Sequence, residues 1–227
     1  MRPPAAPLAR RRVVQEYRAV AVAHPGCGKT MIERWLASKV TGEVTTIWVT
    51  AKSIGSAEDV ASIFDIARKL SPALVIMEDL DLISGTRSLF GQSGSGPLGE
   101  MLNQLDGLTQ DQSIVLVGST NRLGSLDEAL ADRPGRFDRV YEVGKPTEDI
   151  AKIIARNYLV KRGIDPQVVE NLTLSCLNSG EFTGAQVVEI VKGGIFEAIH
   201  RNCDVSDTCI QNSAKGLQDQ KKLAKRE

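Results

Sequence analysis

Residues 23–30 read AHPGCGKT. They fit the pattern Ala/Gly-x-x-x-x-Gly-Lys-Ser/Thr, lying between the apolar run YRAVAVA (17–23) and TMIERWLASKV (30–40), whose apolar residues recur at helical spacing. A strand, a glycine-bearing turn and a helix start, in that order, make a cradle for phosphate. Gly26 and Gly28 let backbone N–H groups turn inward, where a side chain would block the approach. The helix beginning near Lys29 adds its partial positive charge. Lys29 is expected to reach the β- and γ-phosphates of ATP, and the Thr30 hydroxyl to bind Mg²⁺. Pro25, Gly26, Cys27, Gly28, Lys29, Thr30 and Met31 are the candidate nucleotide contacts. Ala23 replaces a commoner glycine, but at a strand end ahead of the cradle a small residue suffices.

Outward from this loop, four more apolar runs stand out: TTIWVTA (45–51), ALVIMED (73–79), SIVLVGST (113–120) and RVYEVGK (139–145). They are rich in Val and Ile without clean alternation, as strands covered on both faces are. Helical patterns at 30–40, AEDVASIFDIARKL (57–70) and LGEMLNQLDGL (98–108) lie between them. Alternating strands and helices predict an α/β fold with a parallel sheet flanked by helices. After Pro146 the strands stop and amphipathic helices follow one another. The expected organisation is a disordered leader at 1–16, an α/β domain at 17–146, an all-helical domain at 147–212 and a polar, fraying tail at 213–227. A Gly/Ser-rich loop, flexible by composition, is expected at 84–97.

Two strand ends carry further polar groups. LVIMEDLD (74–81) closes on acids, and a Mg²⁺–ATP site needs one carboxylate near the metal and one that activates water. The carboxyl edge of a buried parallel sheet delivers both. In VLVGSTNRLGSLDEALADRPGRFDR (115–139) the strand ends in Ser-Thr-Asn, and the Asn121 amide can hold the attacking water. Arg133 and Arg136 flank a Pro-Gly turn and suit charge stabilisation of a γ-phosphate.

The segments AHPGCGKT, SPALVIMEDLD, LNQLDGL, STNRLGSLDEAL, RPGRFDR and FTGAQ (182–186) resemble the AAA family, ATPases associated with diverse cellular activities. The likeness is to proteasome-regulatory and bacterial membrane-protease ATPase modules, in the family's order from about residue 18 to 200. It implies a five-stranded sheet of order 5-1-4-3-2 with a helical lid. It also implies a homo-oligomeric ring, usually hexameric, with ATP between neighbours. By position, the resemblance implies Asn121 as the sensor residue and Arg133 and Arg136 as arginine fingers acting on the neighbour's ATP. Arg139 is implied as an interface brace, and Gly184 and Ala185 match the lid contact.

The chain departs from that family in three places. The strand-end acids come as Glu78-Asp79 where the usual order is Asp then Glu, so Glu78 falls in the metal position and Asp79 in the base position. Asp79 is one methylene shorter than a glutamate, which predicts slowed hydrolysis. The pore segment reads Lys52-Ser53-Ile54-Gly55, without the aromatic that substrate-threading members carry. About 16 residues precede the first strand, fewer than the family's adenine-covering segment; either the module is truncated or adenine is covered less well, and weaker nucleotide affinity is expected.

Composition narrows the function classes. Basic and acidic residues balance at 28 each, and no basic stripe is present, so nucleic acid is not the expected partner. No apolar run is long enough for a membrane span. The four cysteines make no CxxC pair or zinc spacing and predict free thiols in a reducing, cytoplasmic setting. No HExxH occurs, and His24 reads as a loop side chain. Cys27, at a helix N-terminus beside Lys29, reads first as a small loop filler and second as a redox-sensitive thiol. The expected function is an ATP-hydrolysing ring module that remodels or unfolds a protein. Its alternative is a nucleotide-dependent assembly module with little or no hydrolysis.

Overall fold

The computed structural model describes residues 17–42, 44–84, 96–108, 113–121, 137–165, 167–170 and 182–224. The leader, most of the Gly/Ser-rich loop, and Arg133 and Arg136 lie outside these residues. Five strands form one sheet: β1 (Tyr17–Val22), β2 (Thr45–Thr50), β3 (Ala73–Glu78), β4 (Ile114–Thr120) and β5 (Arg139–Glu142). Their order is β2-β3-β4-β1-β5 and every pairing is parallel, as expected.

The apolar runs do not alternate because both faces of the central strands are covered. In β3, Ala73, Val75 and Met77 enter one core while Leu74 and Ile76 enter another. The first core is completed by α2 (Ala57–Lys69) and α4 (Pro97–Asp106), through Val60, Phe64 and Ala67 of one and Leu98, Met101, Leu102 and Leu105 of the other. On the second face Leu36 and Ala37 of α1 (Lys29–Lys39) pack with Leu74, Ile76 and Val117. A short α3 (Asp81–Ser84) follows β3. Helix α2 starts at a reciprocal cap, in which Ser56 Oγ accepts from Asp59 N at 3.2 Å and Asp59 Oδ2 accepts from Ser56 N at 2.9 Å. The edge strand β5 is exposed along its four residues. Its approach is fixed by Asp138, whose N–H donates to Arg18 O at 2.9 Å while its carboxylate accepts from Arg18 N at 2.8 Å.

The described chain divides into two compact units: residues up to Ala23 with Lys29–Val143, and His24–Gly28 with Gly144–Glu227. The second contains α5 (Glu148–Val160), α6 (Gln167–Glu170), α7 (Gly184–His200) and α8 (Asp207–Ala224). Ala151, Ala155, Leu159, Phe182, Val187, Ile190, Val191, Ile210 and Ala214 form its core. The stretch from 213 onward, expected to fray, is helical through Ala224. Ile210, Ala214 and Leu217 fall on one helical face and pack into that core. Further along, the Lys221 ammonium donates to Gln186 Oε1 at 2.8 Å and lies 4.4 Å from the Phe182 ring centroid. Among the described residues, no helix is long and apolar enough to cross a membrane.

Candidate functional site

The sheet unit gathers polar groups where β3 and β4 end. The Lys29 side chain, buried at the start of α1, donates from Nζ to Ala23 O at 2.9 Å and to Asn121 Oδ1 at 2.7 Å. Asn121 in turn donates from Nδ2 to Asp79 Oδ1 at 3.2 Å. Three sequence-predicted residues therefore form one bonded chain, ammonium to amide to carboxylate. The amide orientation follows from its partners, since its oxygen meets a cation and its nitrogen an anion.

Asp79 has φ of 56°, the left-handed region that a residue with a Cβ enters only at a cost. The turn is held there by Leu80 N–H donating to Ser119 O at 2.8 Å and Leu82 N–H donating to Asp79 O at 2.9 Å. Asp81, the last acid of the 74–81 stretch, is a structural anchor. Its Oδ1 accepts from Thr120 Oγ1 and from Asn121 N, each at 3.0 Å. One acid thus fixes both the backbone and the position of the residue that bonds Asp79.

Glu33 was not singled out by the sequence. With Lys29 it is one of the two buried residues of α1, and its side chain is fully enclosed. Neither carboxyl oxygen closes a hydrogen bond of normal geometry, although Ser119 and Glu78 lie within its range. Burial pushes its carboxyl up to about 7, with the Glu78 and Asp79 charges adding to the rise and Ser119 opposing it. The missed signal was spacing: Lys29 turns inward to Ala23 and Asn121, and the residue four later shares its face.

Glu78 ends β3 half-buried, while Thr30 and Met31 are exposed in the first turn of α1. Thr30 and Glu78 are hard oxygen donors of the kind Mg²⁺ takes, and the orphaned Glu33 oxygens beside Glu78 add a third. The donor set fits the ion.

The helical unit carries the loop His24–Gly28. Gly26 and Gly28 have φ of 80° and 101°, values that open the turn to glycine. Gly26 is also crowded, since a Cβ there would stand 2.9 Å from Thr183 Oγ1 and 3.0 Å from Ala185 Cβ. The Gly26 carbonyl accepts from Ala185 N at 3.0 Å. Thr183 caps α7, accepting from Gln186 N at 3.4 Å while Gln186 Oε1 accepts from Thr183 N at 3.0 Å. Gly184 and Ala185, matched by sequence far from the loop, are therefore its neighbours within one unit. Cys27 is half-buried and His24 and Pro25 are exposed. Arg139 lies exposed on β5.

Residues 20–145 match the family described as "ATPase family associated with various cellular activities (AAA)". The 26S proteasome regulatory subunit 8 homolog of Naegleria fowleri is 31% identical over 210 residues, covering 86% of this chain and 49% of that protein. The proteasome-activating nucleotidase of Sulfurisphaera tokodaii is 34% identical over 176 residues, 73% of this chain and 44% of its own length. The chain thus spans under half the length of these two curated relatives. The FIGL-1 AAA domain, crystallised in complex with ADP, matches with a TM-score of 0.68 over 91% of this chain and 73% of that chain, at 23% identity. That likeness is one of fold.

Proposed function

The chain belongs to the AAA family of ATPases, and from that premise we propose that it hydrolyses ATP within a homo-oligomeric ring, most simply a hexamer, to remodel a protein partner. The observation that carries the chemistry is the bonded chain from Lys29 through Asn121 to Asp79. It supports a division of labour. The loop amides at Gly26 and Gly28, Lys29 and the helix start bind phosphate, flanked by Pro25, Cys27 and Met31. Asp79 accepts a proton from the attacking water, and Asn121 orients that water while bonded to Asp79. Thr30 and Glu78 would hold Mg²⁺, which when bound neutralises phosphate charge. Arg133 and Arg136 act on the nucleotide of the neighbouring subunit, and Gly184 and Ala185 stay against the loop.

The pore segment favours remodelling over threading. Ile54 packs against the sheet core, Ser53 Oγ donates to Thr50 O at 2.7 Å, and Gly55 N–H donates to Asp59 Oδ2 at 2.9 Å. These contacts hold the segment's one large aliphatic side chain inward, and no aromatic accompanies it. Three described cysteines, Cys27, Cys203 and Cys209, are free thiols and suit a reducing compartment such as the cytoplasm.

ATP turnover measured against protein concentration tests the reading. Wild-type activity per chain should rise with assembly and collapse in Arg136→Ala. Lys29→Ala should lose nucleotide binding, whereas Asp79→Asn should keep it and lose about a hundredfold or more in kcat. Unchanged turnover in Asp79→Asn would overturn the base assignment. Flat, negligible turnover in every variant, with nucleotide still bound, would leave the assembly module as the function.

A further inference from the structure

We propose that Glu33 is a protein ligand of the divalent cation at the phosphate loop, joining its carboxylate to that of Glu78 so that the cation binds before nucleotide does. This rests on the nucleotide–Mg²⁺ reading above and deepens it by giving this chain its own hold on the metal.

The argument begins with strand periodicity. Leu74 and Ile76 of β3 and Val117 of β4 face α1, so Glu78 and Ser119, two residues further along each strand, continue the same face. On the helix, Leu36 and Ala37 pack on that apolar layer, and Glu33 lies one turn nearer the phosphate loop. Three oxygen-bearing side chains, Glu33, Glu78 and Ser119, thus meet above an otherwise apolar layer. Ser119 is buried, and Glu33 is fully enclosed with both oxygens orphaned.

An enclosed carboxylate without a partner costs several kcal/mol, and a second carboxylate facing it adds repulsion. A hard divalent cation removes both costs at once, because it takes carboxylate and hydroxyl oxygens together. Among the described residues no group of three or more His, Cys, Asp or Glu side chains is arranged for a metal. The cation would therefore take two carboxylates from the protein and fill its remaining positions with Thr30 or Ser119 hydroxyls, water and phosphate oxygens. Such a mixed shell suits Mg²⁺, which keeps part of its water.

The test uses the full, nucleotide-free chain at about pH 8, where carboxyl groups are ionised, with Mn²⁺ as the probe. Loss of the free-ion electron paramagnetic resonance signal reads uptake. Wild type should take up one Mn²⁺ per chain, and Glu33→Gln and Glu33→Ala should each bind it at least tenfold more weakly. Thermal melts followed by circular dichroism establish that each variant is folded. Glu33→Ala puts no polar group at position 33 and carries the test should the amide not be accommodated. Equal Mn²⁺ uptake by wild type and a folded Glu33 variant, or no uptake by wild type, overturns the proposal. A separate arm measures wild-type binding of a fluorescent ADP analogue in EDTA. Mn²⁺ uptake that depends on Glu33 without ADP binding would sink the nucleotide reading and keep the cation site. ADP binding without Glu33-dependent uptake would do the reverse.

Discussion

Asp81 and Glu33 are two acids set against successive residues of one strand, and the fold treats them oppositely. Thr120 and Ser119 point to opposite faces of β4, so Asp81 meets the first and Glu33 the second. Asp81 accepts a hydroxyl and a backbone N–H. Glu33 closes neither with normal geometry, though it is the more deeply buried. A satisfied acid behaves as part of the scaffold and its loss weakens the fold. An unsatisfied one is a burden on the fold that a proton or a further ligand relieves.

The sharpest test of that contrast is removal of each acid in turn, in metal-free protein. Asp81→Ala removes the carboxylate that accepts from the Thr120 hydroxyl and the Asn121 N–H, and should cost about 2–4 kcal/mol in urea unfolding. It should also lower turnover, because Asn121 loses its anchor.

Glu33→Gln should act in the other direction. Its carboxyl is raised from 4.5 to about 7 in the folded chain, so between those values the native state keeps a proton that the unfolded state has released. The associated stability is fully present below about pH 4.5 and is lost as pH rises through about 7, a swing on the order of 3 kcal/mol. Glu33→Gln should flatten that fall and be the more stable protein at about pH 8. Parallel unfolding curves for the two proteins across this range would remove the contrast.

The smallest effect is at Asp79. Lengthening it by one methylene in Asp79→Glu should raise kcat by about threefold to tenfold, if the short side chain limits the reaction. A fall in kcat would mean that the positive-φ turn and the Asn121 bond are tuned to aspartate.

The sheet was legible because strand identity needs only apolar runs and their bounding turns, and strand order followed from the family likeness. The loop was legible as a turn because two glycines set between a strand and a helix predict the positive-φ positions that Gly26 and Gly28 take ahead of Lys29. Glu33 was not. In TMIERWLASKV an acid next to an arginine reads as a solvated face, and only the requirement on Lys29 places it inward. Asp81 was hidden differently, since its partners are a backbone N–H and a hydroxyl 40 and 39 residues away in sequence. Polar composition outweighed the spacing of Ile210, Ala214 and Leu217, so the final helix was read as a tail.

The loop His24–Gly28 has a practical consequence for dissecting the molecule. It lies in sequence between β1 and α1 yet is grouped with Gly144–Glu227. No single cut therefore yields both units whole. A fragment stopped at Val143 would keep the entire sheet but leave the Gly26 carbonyl without the Ala185 N–H that now donates to it. Isolated pieces should be judged by their nucleotide affinity rather than by their fold, because the sheet can survive the cut while the loop loses its support.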